Sequence, residues 1–502
     1  MPTARLTLDP AFRVGSVDRR LFGSFVEHMG RCVHTGIYEP GHPTADEEGF
    51  RTDVLELVRE LGITVVRYPG GNFVSNYRWE DGVGPREDRP RRLDLAWRSV
   101  ESNAVGLNEF MAWAAKAGVE PMMALNLGTR GPAEALDLLE YANYPSGTAL
   151  SDLRRSHGVE EPHGIRMWCL GNELDGPWQM GHKTAHEYGR VAAETARAMK
   201  RFDPTLELVA CGSSNAHIDT FASWEATVLE HTYDFVDHLS LHAYYDPGDG
   251  DIDSFLASGA EMDRMISAIT ATADHVGAKL RSKKKIKLSF DEWNVWYQSR
   301  FGGEDSLDWR PAPELIEDVY DVTDAVVVGS LLITLLRHAD RVGAACQAQL
   351  ANVIAPILTR PGGPAWRQTI FHPFARTARH ARGTVLRVEP DSPLIETTKF
   401  GDVPALWSAA TYDEESGNVA LFAVNRGRGE EPLRLTADVR AFSGARVVEH
   451  AVLDDADTSA VNTAEQPDRV RPREVAGTKT DDGTLTVDLP PVSWTMIRLA
   501  TR

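Results

Sequence analysis

A chain of 502 residues with 42% hydrophobic and 25% charged side chains has an ordinary globular composition, which excludes a disordered or fibrous class. It exceeds what one compact core usually supports, unless that core is a large α/β barrel. The formal net charge of -20 argues against nucleic acid and acidic membranes, which require a basic face, and fits neutral partners better.

The opening MPTARLTLDPAF has no apolar stretch behind a basic segment, and no window of 18 apolar residues follows anywhere, so a cytoplasmic location without a membrane partner is expected. Within it, Arg5-Leu6-Thr7-Leu8 alternates as a strand does. From about residue 20 to 350, eight strand-like runs then alternate with amphipathic ones: 21–26, 63–68, 121–126, 165–170, 206–211, 235–242, 286–290 and 342–348. Helical spacing occurs at Val54, Leu55 and Val58, at Phe110, Trp113 and Ala114, and at Leu136, Leu138 and Leu139. Thr184-Ala185-His186-Glu187 forms a capping box for a helix that runs to about Arg201 and stops at Asp203-Pro204.

Eight strand-then-helix repeats with strands apolar on both faces predict a closed parallel (β/α)8 barrel, of the TIM type, over 19–384. An open doubly wound sheet is the competing pattern. The basic run 281–285 reads as a solvated helix end. After about residue 384 the texture turns to strand alternation, as in Val419 to Val424 and Leu485 to Leu489, broken by Gly-Asn and Asp-Gly turns. Residues 385–502, joined by 1–18, are therefore expected to form an all-β, jelly-roll-like sandwich, with 454–482 as a long polar loop. Cys32, Cys169, Cys211 and Cys346 are far apart and lack a C-x-x-C pair, which favours buried free thiols over disulfides or zinc.

In such a barrel the working groups come from the C-terminal strand ends. Those ends carry Glu27 and His28; Arg67 and Pro69-Gly70-Gly71-Asn72; Asn126; Asn172-Glu173; His242 and Tyr244; Asp291-Glu292-Trp293; and Gln347 and Gln349. Carboxylates and amides suit hydroxyl groups, and aromatic faces suit the C–H surface of a sugar ring. Glu173 after strand four and Glu292 after strand seven then face one cavity, as a carboxylate pair does in glycoside hydrolysis.

With Gly171-Asn172-Glu173-Leu174-Asp175-Gly176-Pro177-Trp178-Gln179, Asp291-Glu292-Trp293-Asn294 and Tyr68-Pro69-Gly70-Gly71-Asn72 in place, the chain resembles glycoside hydrolase family 51, intracellular α-L-arabinofuranosidases, over nearly its whole length. The resemblance implies Glu173 as general acid/base and Glu292 as nucleophile, with retention through a covalent arabinosyl-enzyme. It implies Glu27, Asn72, Asn172, Tyr244 and Gln349 as sugar-binding positions, Arg67 beside the nucleophile and Trp296 at the pocket wall. It also implies a homo-oligomer, commonly a hexamer.

Retention needs the two carboxyl groups about 5–5.5 Å apart, one protonated and one ionised. Of Trp178, Trp293 and Trp296, only Trp296 is assigned to the pocket. No metal or organic cofactor is expected: Asp249, Asp251 and Asp253 imitate a calcium loop, but Ser254 and Ala260 stand where such a loop needs Gly and Glu. The expected substrate is an arabinose-containing oligosaccharide attacked from its non-reducing end. A related retaining endo-glucanase or β-xylosidase, and a carbohydrate-binding protein without turnover, are the alternatives.

Overall fold

The computed structural model describes every residue except Asp249 and Arg502, so part of the calcium-loop imitation lies outside the described residues. Eight parallel strands close into a barrel: Gly23–Phe25, Val65–Tyr68, Glu120–Ala124, Met167–Cys169, Glu207–Ala210, His238–Tyr245, Lys287–Val295 and Val342–Ala348. Each pairs with its neighbours in sequence, and Val342–Ala348 returns to Gly23–Phe25. The open doubly wound alternative is thereby excluded.

The helices between them bury the faces that the sequence pattern marks. Val54, Leu55 and Val58 point inward from Thr52–Leu61, as do Phe110, Trp113 and Ala114 from Leu107–Ala117. Thr184 caps Ala185–Phe202 by accepting from the Glu187 amide, which satisfies one of the helix's free N–H groups.

Two strands run further than their apolar cores suggest. The sixth extends to Tyr245 and the seventh to Val295, so Glu292 lies within the seventh strand instead of after it. The cause is burial of polar side chains that find partners inside. Asn294, for example, donates to the carbonyl of Ala348 at 2.7 Å.

The strand-rich part pairs chain start with chain end. Thr3–Thr7 lies parallel to Leu433–Asp438 in a four-stranded sheet, and Arg13–Ser16 is antiparallel to Thr384–Leu386 at the edge of a seven-stranded one. Residues 454–482 are mostly irregular, with two-residue strands at Arg473–Glu474 and Thr480–Asp481. The run Val419 to Val424 corrects the expectation of alternation, because both of its faces are covered. Leu421 and Ala423 meet the four-stranded sheet, whereas Ala420, Phe422 and Val424 belong to the barrel's core.

That second face rests on the helix Val322–Arg337, which is buried on nearly every side between barrel and sandwich. Such a helix needs no polar stripe, since almost none of it meets water, and its polar side chains Thr323, Asp324, Ser330 and Thr334 are buried with the rest. Gly329 sits where the indole of Trp494 packs: a Cβ there would come within 2.3 Å of the ring. Cys32, Cys169, Cys211 and Cys346 are buried and unpaired. Among the described residues no helix is long and apolar enough to cross a membrane.

Candidate active site

At the C-terminal mouth of the barrel lies a cavity of about 560 Å³ whose lining includes Glu27, Asn72, Trp97, Glu173, Trp178, Tyr244, Glu292, Trp296 and Gln349. Its floor and rim differ sharply: Glu27 is 2% exposed and Trp178 is 50% exposed.

Glu173 follows the fourth strand through Gly171 and Asn172, and its own φ of +46° is the left-handed conformation that side-chained residues seldom adopt. Strain of this kind costs about 1–3 kcal/mol and persists where surrounding contacts fix it. Here His242 Nδ1 donates to Glu173 Oε1 at 2.8 Å and Trp178 Nε1 donates to Oε2 at 3.1 Å.

Glu292 reaches the same space from the opposite wall. Arg67 Nη1 donates to its Oε1 at 2.6 Å and the Tyr244 hydroxyl to its Oε2 at 2.7 Å. A carboxylate oxygen of Glu173, one of Glu292 and a ring nitrogen of His242 all lie within 4.8 Å of one another. The other arm of Arg67 donates to Asn172 Oδ1 at 2.7 Å, and Asn172 Nδ2 donates to Asn72 Oδ1 at 3.3 Å. One guanidinium thus spaces the seventh strand from the loop that carries the other carboxyl, using the planar fork that lysine lacks.

A β-bulge aims these groups. Ser240 pairs with Ser289 but His242 with Glu292, and Phe290 pairs with Ala345 but Trp293 with Gln347, so the seventh strand carries one extra residue at this level on both sides. Neighbouring residues of a regular strand point to opposite faces; the bulge lets Asp291 and Glu292 both serve the interior. Asp291 Oδ1 accepts from His242 Nε2 at 2.9 Å, and its Oδ2 accepts from the Ser289 hydroxyl at 3.0 Å.

The electrostatics follow from this packing. Burial pushes the Glu173 carboxyl up, the His242 bond pulls it down, and the charge of Glu292 pushes it up again, for a net rise. Burial alone would lower His242, but Glu292, Asp291 and Glu173 outweigh it and carry the imidazole to about 10. Asp291 is held below the usual carboxylate range despite its burial, by Arg67 and His242. Burial, with help from Glu292, lifts Glu27 to about 8, although the Phe73 amide and Trp97 Nε1 each donate to its Oε1 at 2.9 Å.

All nine positions expected from the sequence come together: Glu27, Asn72, Glu173, Tyr244, Glu292, Trp296 and Gln349 line the cavity, and Arg67 and Asn172 stand directly behind it. Gln349 Nε2 donates to Glu27 Oε2 at 3.2 Å, and Trp296 meets Tyr244 edge to face at 5.2 Å between centroids. Other strand-end residues go elsewhere. Asn126 Nδ2 donates to the Tyr77 carbonyl, Gln347 to Asn294, and Trp293 stacks on Phe374 in the core.

Trp178 is a correction, since it lines the cavity and touches Glu173. Trp97 has no sequence signal, because it sits on an irregular excursion after the second strand. His242 and Asp291 were visible as polar strand ends, but nothing in the pattern joins them.

Two clusters place His and carboxylate ligand atoms within 4.8 Å, namely Glu173, His242, Glu292 and His28, His34, Glu101. The first is a poor metal site: His242 is a cation with both ring nitrogens donating to carboxylates, leaving no lone pair to offer. In the second, Glu101 lies well below its usual range, held by His28 and His34 against the opposing effect of burial. The two contacts, at 2.9 and 3.1 Å, tie the excursion carrying Trp97 to the first strand's loop.

Residues 57–253 match the model of an α-L-arabinofuranosidase 1 domain, and residues 291–493 that of an α-L-arabinofuranosidase C-terminal domain. A parallel barrel with one carboxylate just past the fourth strand and one in the seventh, in such company, makes the protein a glycoside hydrolase.

An intracellular exo-α-(1→5)-L-arabinofuranosidase of Streptomyces lividans is 64% identical over 100% of this chain and 76% of its own length. An exo-α-(1→6)-L-arabinofuranosidase of Bifidobacterium longum is 54% identical over 99% and 97%. The solved structure of a family 51 α-L-arabinofuranosidase from Bifidobacterium longum superposes with a TM-score of 0.95 at 49% identity, covering 99% of both chains. The chain belongs to glycoside hydrolase family 51, the α-L-arabinofuranosidases.

Proposed function

We propose that the protein is a retaining, exo-acting α-L-arabinofuranosidase that removes terminal non-reducing arabinofuranosyl residues from arabinan- or arabinoxylan-derived oligosaccharides inside the cell. The observation that carries this reading is the approach of one Glu173 oxygen and one Glu292 oxygen to within 4.8 Å of each other. Inverting enzymes separate their carboxyl groups by about 6.5–9.5 Å to admit a water, whereas direct attack needs about 5–5.5 Å.

Protonated Glu173 gives its proton to the leaving oxygen while Glu292 attacks the anomeric carbon. The glycosidic C–O bond breaks and an ester forms. Esterification removes the charge of Glu292, and with it the Coulombic push on Glu173, which then accepts a proton from water as that water attacks the anomeric carbon and frees Glu292. Asn172, fixed by Arg67, is placed to meet the sugar 2-hydroxyl, whose contact tightens as the ring gains oxocarbenium character.

Exo action rests on the closed end. Glu27, with Gln349 and Trp97 around it, offers a buried carboxyl for two hydroxyls, which suits one enclosed terminal sugar. The same closure disfavours an endo-glucanase, and the paired carboxyls disfavour a binding protein without turnover. The relatives' names divide between (1→5) and (1→6) linkages; the two differ only in the leaving group, so linkage choice belongs to the leaving side of the cavity in this reading. A homo-oligomer, hexameric by resemblance, completes the proposal, and light scattering on the purified protein reads it directly.

The test compares 4-nitrophenyl α-L-arabinofuranoside with the β-D-xyloside and a β-glucan, following the first-formed sugar by NMR. Rapid release of α-configured arabinose from the first substrate is expected. No release from the arabinoside overturns the reading, and β-configured first product overturns retention.

A further inference from the structure

Beside the catalytic cavity runs a second groove of about 480 Å³, lined by Ala216, Phe221, Glu261, Arg264, Ala268 and Phe400 among others. The two hollows share one residue, His217, and are joined by one stretch of chain: Ser214 and Asn215 line the cavity, His217 lines both, and Ala216 lines the groove. The stretch is anchored close to the chemistry. Asp175, two residues beyond Glu173, accepts from the Ser214 amide at 2.9 Å and from its hydroxyl at 3.2 Å. At the junction Glu261 stands 2.7 Å from Nε2 of the largely exposed His217.

The far wall comes from the sandwich. The hairpin Leu394–Thr397 and Gly401–Pro404 reaches over the barrel, and its turn carries Lys399 and Phe400. The Lys399 amide donates to the Ser254 hydroxyl at 3.1 Å, and Arg264 Nη2 donates to the Phe400 carbonyl at 3.2 Å. The Arg264 guanidinium also covers one face of the Phe400 ring at 5.1 Å. Two half-buried phenyl rings, Phe221 and Phe400, among charged and hydrogen-bonding side chains form the combination that sugar rings need: apolar faces for C–H surfaces and polar groups for hydroxyls.

We propose that this groove binds the leaving-side sugars of an uncharged arabino-oligosaccharide, continuing the catalytic cavity past His217, so that the sandwich hairpin sets a preference for longer substrates. The inference rests on the reading of the cavity as an arabinofuranose pocket.

The experiment measures kcat/KM on α-(1→5)-linked arabino-oligosaccharides of increasing length, with 4-nitrophenyl α-L-arabinofuranoside as the substrate too short to enter the groove. A rise of roughly 2- to 10-fold from the disaccharide to longer oligomers is expected, about 0.4–1.4 kcal/mol. Phe400→Ala and the groove-filling Ala268→Trp should each abolish that rise, chiefly through KM, while the aryl arabinoside is turned over as before; that activity also reports folding. A wild-type kcat/KM independent of length overturns the proposal. So does a loss in Phe400→Ala that is equal on aryl and oligomeric substrates. Failure to cleave the aryl arabinoside at all instead sinks the proposed function.

Discussion

His242 donates to Glu173 at 2.8 Å, so the proposed acid/base is held by an imidazolium and not by solvent. The cation stabilises the ionised carboxylate and opposes the upward push of burial and of Glu292. Replacing His242 by Asn removes that opposition. The Glu173 carboxyl should then keep its proton to higher pH, moving the alkaline limb of kcat/KM upward, and lost positioning should cost about 10²-fold in kcat. A pH profile with an unmoved alkaline limb speaks against the link.

The two carboxyls should be separable by stereochemistry. Glu173→Ala should lose most activity on poor leaving groups, by about 10²–10⁴-fold, whereas on an activated aryl arabinoside, which still forms the ester, azide should rescue turnover by capturing that ester as the α-azide. In Glu292→Ala no ester can form, so any azide product should be the β-azide. NMR of the two adducts checks the assignment, and the same configuration from both contradicts it.

Arg67→Lys tests the fork between Glu292 and Asn172. A lysine keeps the charge but reaches only one of the two partners, leaving a buried hydrogen bond unmade. Such bonds to charged groups are worth about 1.5–3 kcal/mol, so kcat should fall roughly 10- to 100-fold with a smaller change in KM. Wild-type kinetics would mean that the fork plays no part.

Glu27 links binding to stability. Its carboxyl rises from 4.5 to about 8 on burial, so between those values the native chain holds a proton that the unfolded chain has released. Stability therefore falls as pH rises across that window and is lowest above it. Glu27→Gln cannot ionise, and its Tm should gain on the wild type progressively from pH 5 to pH 8 while arabinose affinity drops. A constant Tm difference across that range would show that Glu27 titrates normally.

Much of this site is legible in the sequence because barrel geometry converts strand ends into one surface. Glu27, Asn172, Glu173 and Tyr244 each follow or end an apolar run, and counting runs suffices to bring them together. Arg67 is harder, since an arginine inside a strand resembles a misread boundary; the family resemblance assigned it, and burial beside Glu292 and Asp291 accounts for it. Asp291 is harder still, because a strand without the bulge would turn it away from Glu292. Trp97 stands on an irregular excursion with no period to read. Val419 to Val424 is a strand, as its texture predicts, but its second covered face is not legible: a strand of one domain covered by the helix of another carries no polar face.

Gly329→Ala tests that contact. The added methyl would meet the Trp494 ring at 2.3 Å, and an indole enclosed on both sides has little room to give. Overpacking of this kind costs about 1–3 kcal/mol, so Tm should drop while KM for the aryl arabinoside stays constant. An unchanged Tm would mean the interface yields easily.

The parallel pairing of Thr3–Thr7 with Leu433–Asp438 sets a timetable for biosynthesis. At about 5–20 residues per second, the opening segment leaves the ribosome roughly 20–90 s before its partner exists. Throughout that interval it carries an unsatisfied hydrogen-bonding edge, available to any other nascent chain on the same message. The barrel can close in the meantime, but the sandwich must wait for the tail, which makes this short segment the place to look when overproduction ends in inclusion bodies.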